Sequence, residues 1–243
     1  MLVCLARIAI LGLTLATGAG AAMAGDLADF NAAAEAAEAH NRVAIGYLRT
    51  GNTDLASVEI DGLRAAWQKL TERFAGKRPD PFDGNRYYVT AMTDIGMRLV
   101  TADLMLNSGR ADGAREALQA IRADLYNLRQ SAGIVVLADC VRDANSAMHD
   151  LLVYNDPALD WTKSVTRFGI ASKAAIYDYL LDRCHAVAGD AVRKAPEFRR
   201  LIDGAKAGLA LIPKAIASRD TDLLHRILIE LRSFDNLLAF RFG

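Results

Sequence analysis

The sequence predicts an all-α protein of about eight helices, folded as antiparallel helical hairpins into one or two units resembling four-helix bundles. Three observations lead there. Ala, Leu, Arg and Glu dominate, and apolar residues recur at spacings of three and four, as on an amphipathic helix, whereas no segment alternates as a half-buried strand must. The helical stretches are parted by short Gly-containing turns or by loops rich in Pro, Gly and Asp. One apolar stripe returns three times along the chain.

Residues 1–24, MLVCLARIAILGLTLATGAGAAMA, are expected to be an export signal. Arg7 precedes an apolar run from Ile8 to Ala16, and Ala22-Met23-Ala24 offers the small residues of a cleavage site before Gly25. The run falls short of the roughly 20 residues that span a bilayer. Cys4 stands ahead of it rather than at a cleavage site, unlike a lipoprotein cysteine. The mature chain is therefore expected to be periplasmic or secreted, without a transmembrane helix. It would carry 28 basic and 29 acidic residues, a balance with no electrostatic footprint for nucleic acid or an anionic membrane. The full sequence, with 52% hydrophobic and 24% charged residues, can bury a real core.

Helices are expected over 26–49, 53–75, 86–108, 111–131, 134–154, 163–188, 197–218 and 220–241. The first two hairpins, within 25–132, turn at Arg49-Thr50-Gly51-Asn52-Thr53 and Asn107-Ser108-Gly109-Arg110, where Gly ends the preceding helix. AGKRPDPFDGN (75–85) and YNDPALDW (154–161) read as true loops. The second set of hairpins occupies 133–243. In its LIDGAKAGLALIPKAI segment, Gly204 and Gly208 share one face, suited either to tight internal packing or to a deformable groove wall. Pro213 then kinks or interrupts the helix.

The repeat aligns segments starting at Leu48, Leu106 and Ile216 without a gap. In each, an Asp opens the helix (Asp54, Asp112, Asp222), where it favours the dipole and caps free N–H groups. Apolar residues follow at Ile60/Leu63, Leu118/Ile121 and Leu228/Leu231, then Arg64, Arg122 or Arg232, and then Leu70, Leu128 or Leu238. The shared unit is a helical hairpin.

Loss of Cys4 with the leader would leave Cys140 and Cys184, and in an oxidising compartment these are expected to form a disulfide clipping two helices together. The closed loop is worth roughly 4 kcal/mol in the chain-entropy model.

Motifs for chemistry are absent. There is no H-E-x-x-H, C-x-x-C, paired E-x-x-H or G-x-S-x-G, the loop at 80–85 lacks the D-x-D-x-D-G order of a calcium site, and Cys184-His185 lacks the first cysteine of a C-x-x-C-H heme motif. The reading favoured is a non-enzymatic binding or protein-interaction module, its partner a protein or a small molecule, with no cofactor, and an enzyme without a recognisable motif stays open as a third option. Trp161 beside an acidic loop and Phe240 and Phe242 at the C-terminus are the module's candidate interaction residues. The alternative is a copper- or zinc-binding bundle using His149, His185 and Asp143, although His149 lies nine residues from Cys140, about 13–14 Å along a straight helix.

Overall fold

A computed structural model describes residues 18–243, with side chains from Asp26 onward, and contains no strand among them. The expected leader falls outside the described side chains. Ten helices follow one another: α1 (Gly18–Arg49), α2 (Thr53–Phe74), α3 (Arg86–Asn107), α4 (Ala111–Ser131), α5 (Leu137–Leu152), α6 (Ser164–Val187), the short α7 (Asp190–Lys194), α8 (Pro196–Leu209), α9 (Ile212–Ser218) and α10 (Thr221–Phe242). α1 packs on α2, α3 on α4, α5 on α6, and α8 with α9 on α10.

The helix expected over 197–218 is two helices. Proline has no N–H for the intrahelical ladder, so the chain turns at Ala210 and Leu211 and Pro213 falls in the first turn of α9, where that N–H is not required. Pro196 opens α8 in the same way, and α7 occupies a stretch the sequence left as a connector. α5 starts three residues late because Val136 is extended.

The repeated stripe is buried in all three copies: Ile60, Leu63 and Leu70; Leu118, Ile121 and Leu128; Leu228, Leu231 and Leu238. The three opening aspartates are not caps. Asp54, Asp112 and Asp222 lie inside the first turn, two residues past the capping position, where they act on the dipole alone. In the third copy the cap is Asp220, whose Oδ1 accepts from the Leu223 amide at 2.8 Å.

The turn before each repeat helix is also conserved in geometry within the chain. Gly51 and Gly109 have φ of 76° and 71°, and at the matching position Arg219 holds φ of 53°. In each case the next amide, of Asn52, Arg110 or Asp220, reaches back to the carbonyl of Tyr47, Met105 or Ala215. Arg219 accepts a left-handed penalty of about 1–2 kcal/mol to keep that turn.

The repeat extends further than its sequence stripe. Phe30, Tyr88 and Phe198 hold the same register in the first helix of each hairpin, and all three are buried. Phe30 meets Phe74 edge-on at 5.3 Å and 72°, and Phe198 meets Phe242 at 5.1 Å and 80°. The apolar side chains gather in two cores, one from Phe30 to Ile134 and one from Cys140 to Leu238. Between them α1 and α4 face α5 and α10 across a seam that is polar.

Candidate functional site

α6 is apolar on two sides. Its inner face, with Ile170, Tyr177, Leu181 and Cys184, is fully buried, while Val165, Phe168 and Tyr179 on its outer face are 71%, 75% and 65% exposed. The outer apolar side chains of α6 are left uncovered by the chain. Beside it, the break at Ala210 and Leu211 bends α9 away from the line of α8 and leaves an open trough of about 650 Å³ between α6 and the α8–α9 corner. Ala171, Ala174 and Ala175 line one wall, Leu209, Ile212 and Pro213 the other.

At the edge of this trough Lys206 Nζ donates to Asp178 at 2.9 Å and to Asp182 at 2.8 Å. Partial burial works against the ammonium charge, but the two carboxylates hold its pKa above the ordinary value. One cation is shared by two anions, of which Asp178 lines the trough.

Gly204 and Gly208 face away from this trough. A Cβ on Gly204 would lie 2.5 Å from the Phe234 ring, and one on Gly208 3.0 Å from Leu231, so both glycines serve close packing of α8 on α10. The groove is built on the other side of the same helix.

The disulfide is present. Cys140 on α5 and Cys184 on α6 are bridged with Cα atoms 5.3 Å apart, both fully buried. The candidate metal ligands are spread out. His185 is exposed and stacks on Phe198 at 6.4 Å. Asp143 accepts from the Tyr126 hydroxyl at 3.1 Å and pairs with Arg183 at 3.5 Å. His149, exposed near the far end of α5, lies beside Asp150 and Arg232. Among the described residues no three His, Cys, Asp or Glu side chains converge as metal ligands.

The aromatic candidates also stand apart. Trp161 is buried, and its Nε1 donates to Thr221 Oγ1 at 2.8 Å, pinning the 154–161 loop to the start of α10. Phe240 and Phe242 sit at the other end of that helix, about 28 Å away at 1.5 Å per residue. Phe240 is 41% exposed, while Phe242 turns inward against Phe198.

The charged centre of the seam carries no mark in the sequence. Arg129 on α4 is fully buried; it donates to Asp139 through Nε and Nη2 at 2.6–3.0 Å and to Glu38 through Nη1 and Nη2 at 3.2 and 3.1 Å. Burial alone would lower its pKa, but Glu38 and Asp139 together hold it well above the ordinary arginine value. Burial also pushes the Asp139 carboxyl up, with Arg129 pulling it back.

Asp235 on α10 is a second surprise, because the repeat puts Trp67 and Leu125 at the same position. Its carboxylate accepts from Asn145 Nδ2 at 2.5 Å and from the Tyr177 hydroxyl at 3.4 Å. Burial pushes its pKa from 3.8 up to about 6, against the pull of those two donors. The folded state then binds the proton more tightly than the unfolded chain does. The contribution of Asp235 to stability is fully present below pH 3.8 and is lost as pH rises through about 6, about 3 kcal/mol in all. Asp235→Asn is expected to abolish this slope and raise the urea midpoint at about pH 7. Midpoints at about pH 4 and 7 that shift as in the parent would contradict the assignment.

No family model, no curated protein and no solved structure matches this chain.

Proposed function

We propose that the protein is an exported, non-enzymatic binding module whose trough between α6 and the α8–α9 corner receives an amphipathic helix carrying basic residues. The trough carries the reading: it is apolar, it is left uncovered, and its volume of about 650 Å³ is in the range of ligand sites. Ala171, Ala174, Ala175 and Asp178 follow the spacing of one helix face, and small side chains there let the backbone of a third helix approach closely. The surplus carboxylate around Lys206 favours a lysine or arginine on the incoming helix. Export agrees with the Cys140–Cys184 bridge, since such bonds persist in oxidising compartments.

An 18-residue amphipathic peptide of Leu, Ala and Lys tests the reading by calorimetry against its Leu, Ala and Glu counterpart. The basic peptide is expected to bind the disulfide-bonded protein with a dissociation constant of about 10 μM, and Ala175→Trp, which fills the trough, to weaken it at least about tenfold. Equal binding of both peptides, or an unchanged affinity in Ala175→Trp, would overturn it.

A further inference from the structure

The polar seam is unevenly charged. At one end the Arg129 guanidinium serves two carboxylates, Glu38 and Asp139. At the other end the balance reverses. There α1, α4, α5 and α10 border a half-open cavity of about 270 Å³ lined by Arg42, Arg49, Arg115 and Arg122, with the amides of Asn145 and Asn236 and no carboxylate among the lining side chains.

Two of these arginines are answered from outside the cavity. Arg42 donates to Glu35 at 2.6 Å and to the Gly243 carbonyl at 3.1 Å, and Arg115 donates to the exposed Asp112 at 2.9 Å. Arg49 and Arg122 have no carboxylate within 4.0 Å among the described residues. Arg142 stands behind them on α5, its guanidinium 4.0 Å over the Tyr126 ring and its buried Nη1 without a hydrogen-bond partner. Burial lowers the hold of Arg122 on its proton, the more distant Glu38 carboxylate pulls it back up, and the charges of Arg42 and Arg142 lower it again.

The repeat makes Arg122 conspicuous. Its counterpart Arg64 on α2 is exposed and paired with Asp61 and Asp103, and Arg232 on α10 is exposed. In α4 this position faces a cleft in which three further guanidinium groups stand close. Gathering like charges in a partly desolvated space works against folding, and guanidinium forks are matched by carboxylate or phosphate oxygens. Asn145 is held by its bond to Asp235, so its amide is oriented before any ligand arrives. Ile45, Ala239 and the Phe240 ring, packed on Gly46, supply an apolar side.

We propose that this cavity binds a small multivalent oxyanion, a polycarboxylate or an organic phosphate, held by Arg49, Arg115 and Arg122. A volume of about 270 Å³ falls just below that of sites for drug-sized molecules, which limits the ligand to a small metabolite. The arginines come from α1 and α4 and the Asn145 and Asn236 amides from α5 and α10, so an anion that reaches both links the two halves. The cavity shares no residue with the trough, and the two sites stand or fall separately.

Citrate and pyrophosphate, titrated into the full disulfide-bonded protein at low ionic strength, distinguish carboxylate from phosphate sources. At least one is expected to bind with one-to-one stoichiometry, to raise the melting midpoint by several degrees beyond sodium chloride of equal ionic strength, and to weaken as salt is added. Arg122→Gln is expected to raise the midpoint without ligand, because an unpaired charge is removed, and to weaken binding at least about tenfold. Arg232→Gln, at the matching exposed position of α10, should leave the affinity unchanged. If Arg122→Gln fails to fold, Arg49→Gln on the exposed lip is expected to show the same loss of affinity. Binding of neither anion above chloride would overturn the proposal, as would an affinity insensitive to both Arg122→Gln and Arg49→Gln.

Discussion

Replacing Cys140 and Cys184 together by alanine is expected to lower the unfolding free energy by about 4 kcal/mol. The bond closes a loop between residues 44 apart, and opening it returns that conformational freedom to the unfolded chain. Both cysteines are fully buried, so the lost sulfurs also leave a small void that adds to the cost. The effect should be local to the second core. The chain has two tryptophans, one buried in each core: Trp67 among the N-terminal hairpins and Trp161 beside the α10 N-terminus. In a Trp67→Phe background, Trp161 fluorescence during urea unfolding reports that core directly, and its midpoint should fall. A double alanine variant within about 1 kcal/mol of the parent would show that the bridge merely decorates a helix pair already held by packing.

Arg129→Met is expected to cost about 3–5 kcal/mol, although the two side chains are similar in length. The loss does not come from missing attraction alone. With the guanidinium gone, Glu38 and Asp139 stay buried without a cation, and each must keep an uncompensated charge or take up a proton. Their folded pKa values then rise above those of the unfolded chain, so the variant loses stability as pH increases from acid to neutral. Adding Glu38→Leu and Asp139→Leu to Arg129→Met removes the orphaned charges and should recover most of the loss. Urea unfolding of the single and triple variants at acid and neutral pH measures both effects. A single variant as stable as the parent at neutral pH would mean that water reaches these carboxylates.

The second-helix stripe was legible because Ile60, Leu118 and Leu228 and their followers are large, apolar and periodic. Its first-helix companion was not. At the same register α1 offers Ala34, Ala37 and Asn41 where α8 offers Ile202, Ala205 and Leu209, and alanines mark no face by themselves. The candidate residues fared according to range. Cys140 and Cys184 carry a chemistry that needs only proximity, and they are joined; His149, His185 and Asp143 needed a shared direction, which helix geometry denied them.

The seam left one readable trace. Asp235 stands where the other repeats have Trp67 and Leu125, and Asn41 where they have Leu99 and Leu209, so a polar residue in an apolar register marks buried polar chemistry. No such trace marks Glu38, Arg122 or Arg129. In a chain of balanced charge, each looks like part of a solvated helix face.

Helix content, hairpin turns and the repeated apolar stripe were determined by the amino-acid order alone, because propensity, periodicity and left-handed turns act within a few residues. The polar seam, the arginine cavity and the trough were decided by tertiary packing. Arg42 meets the Gly243 carbonyl 201 residues away, and Arg129 meets Glu38 across 91. Which charged side chains lose their water depends on how α1 and α4 settle against α5 and α10, and that fit is a property of the assembled surfaces rather than of any local stretch of chain.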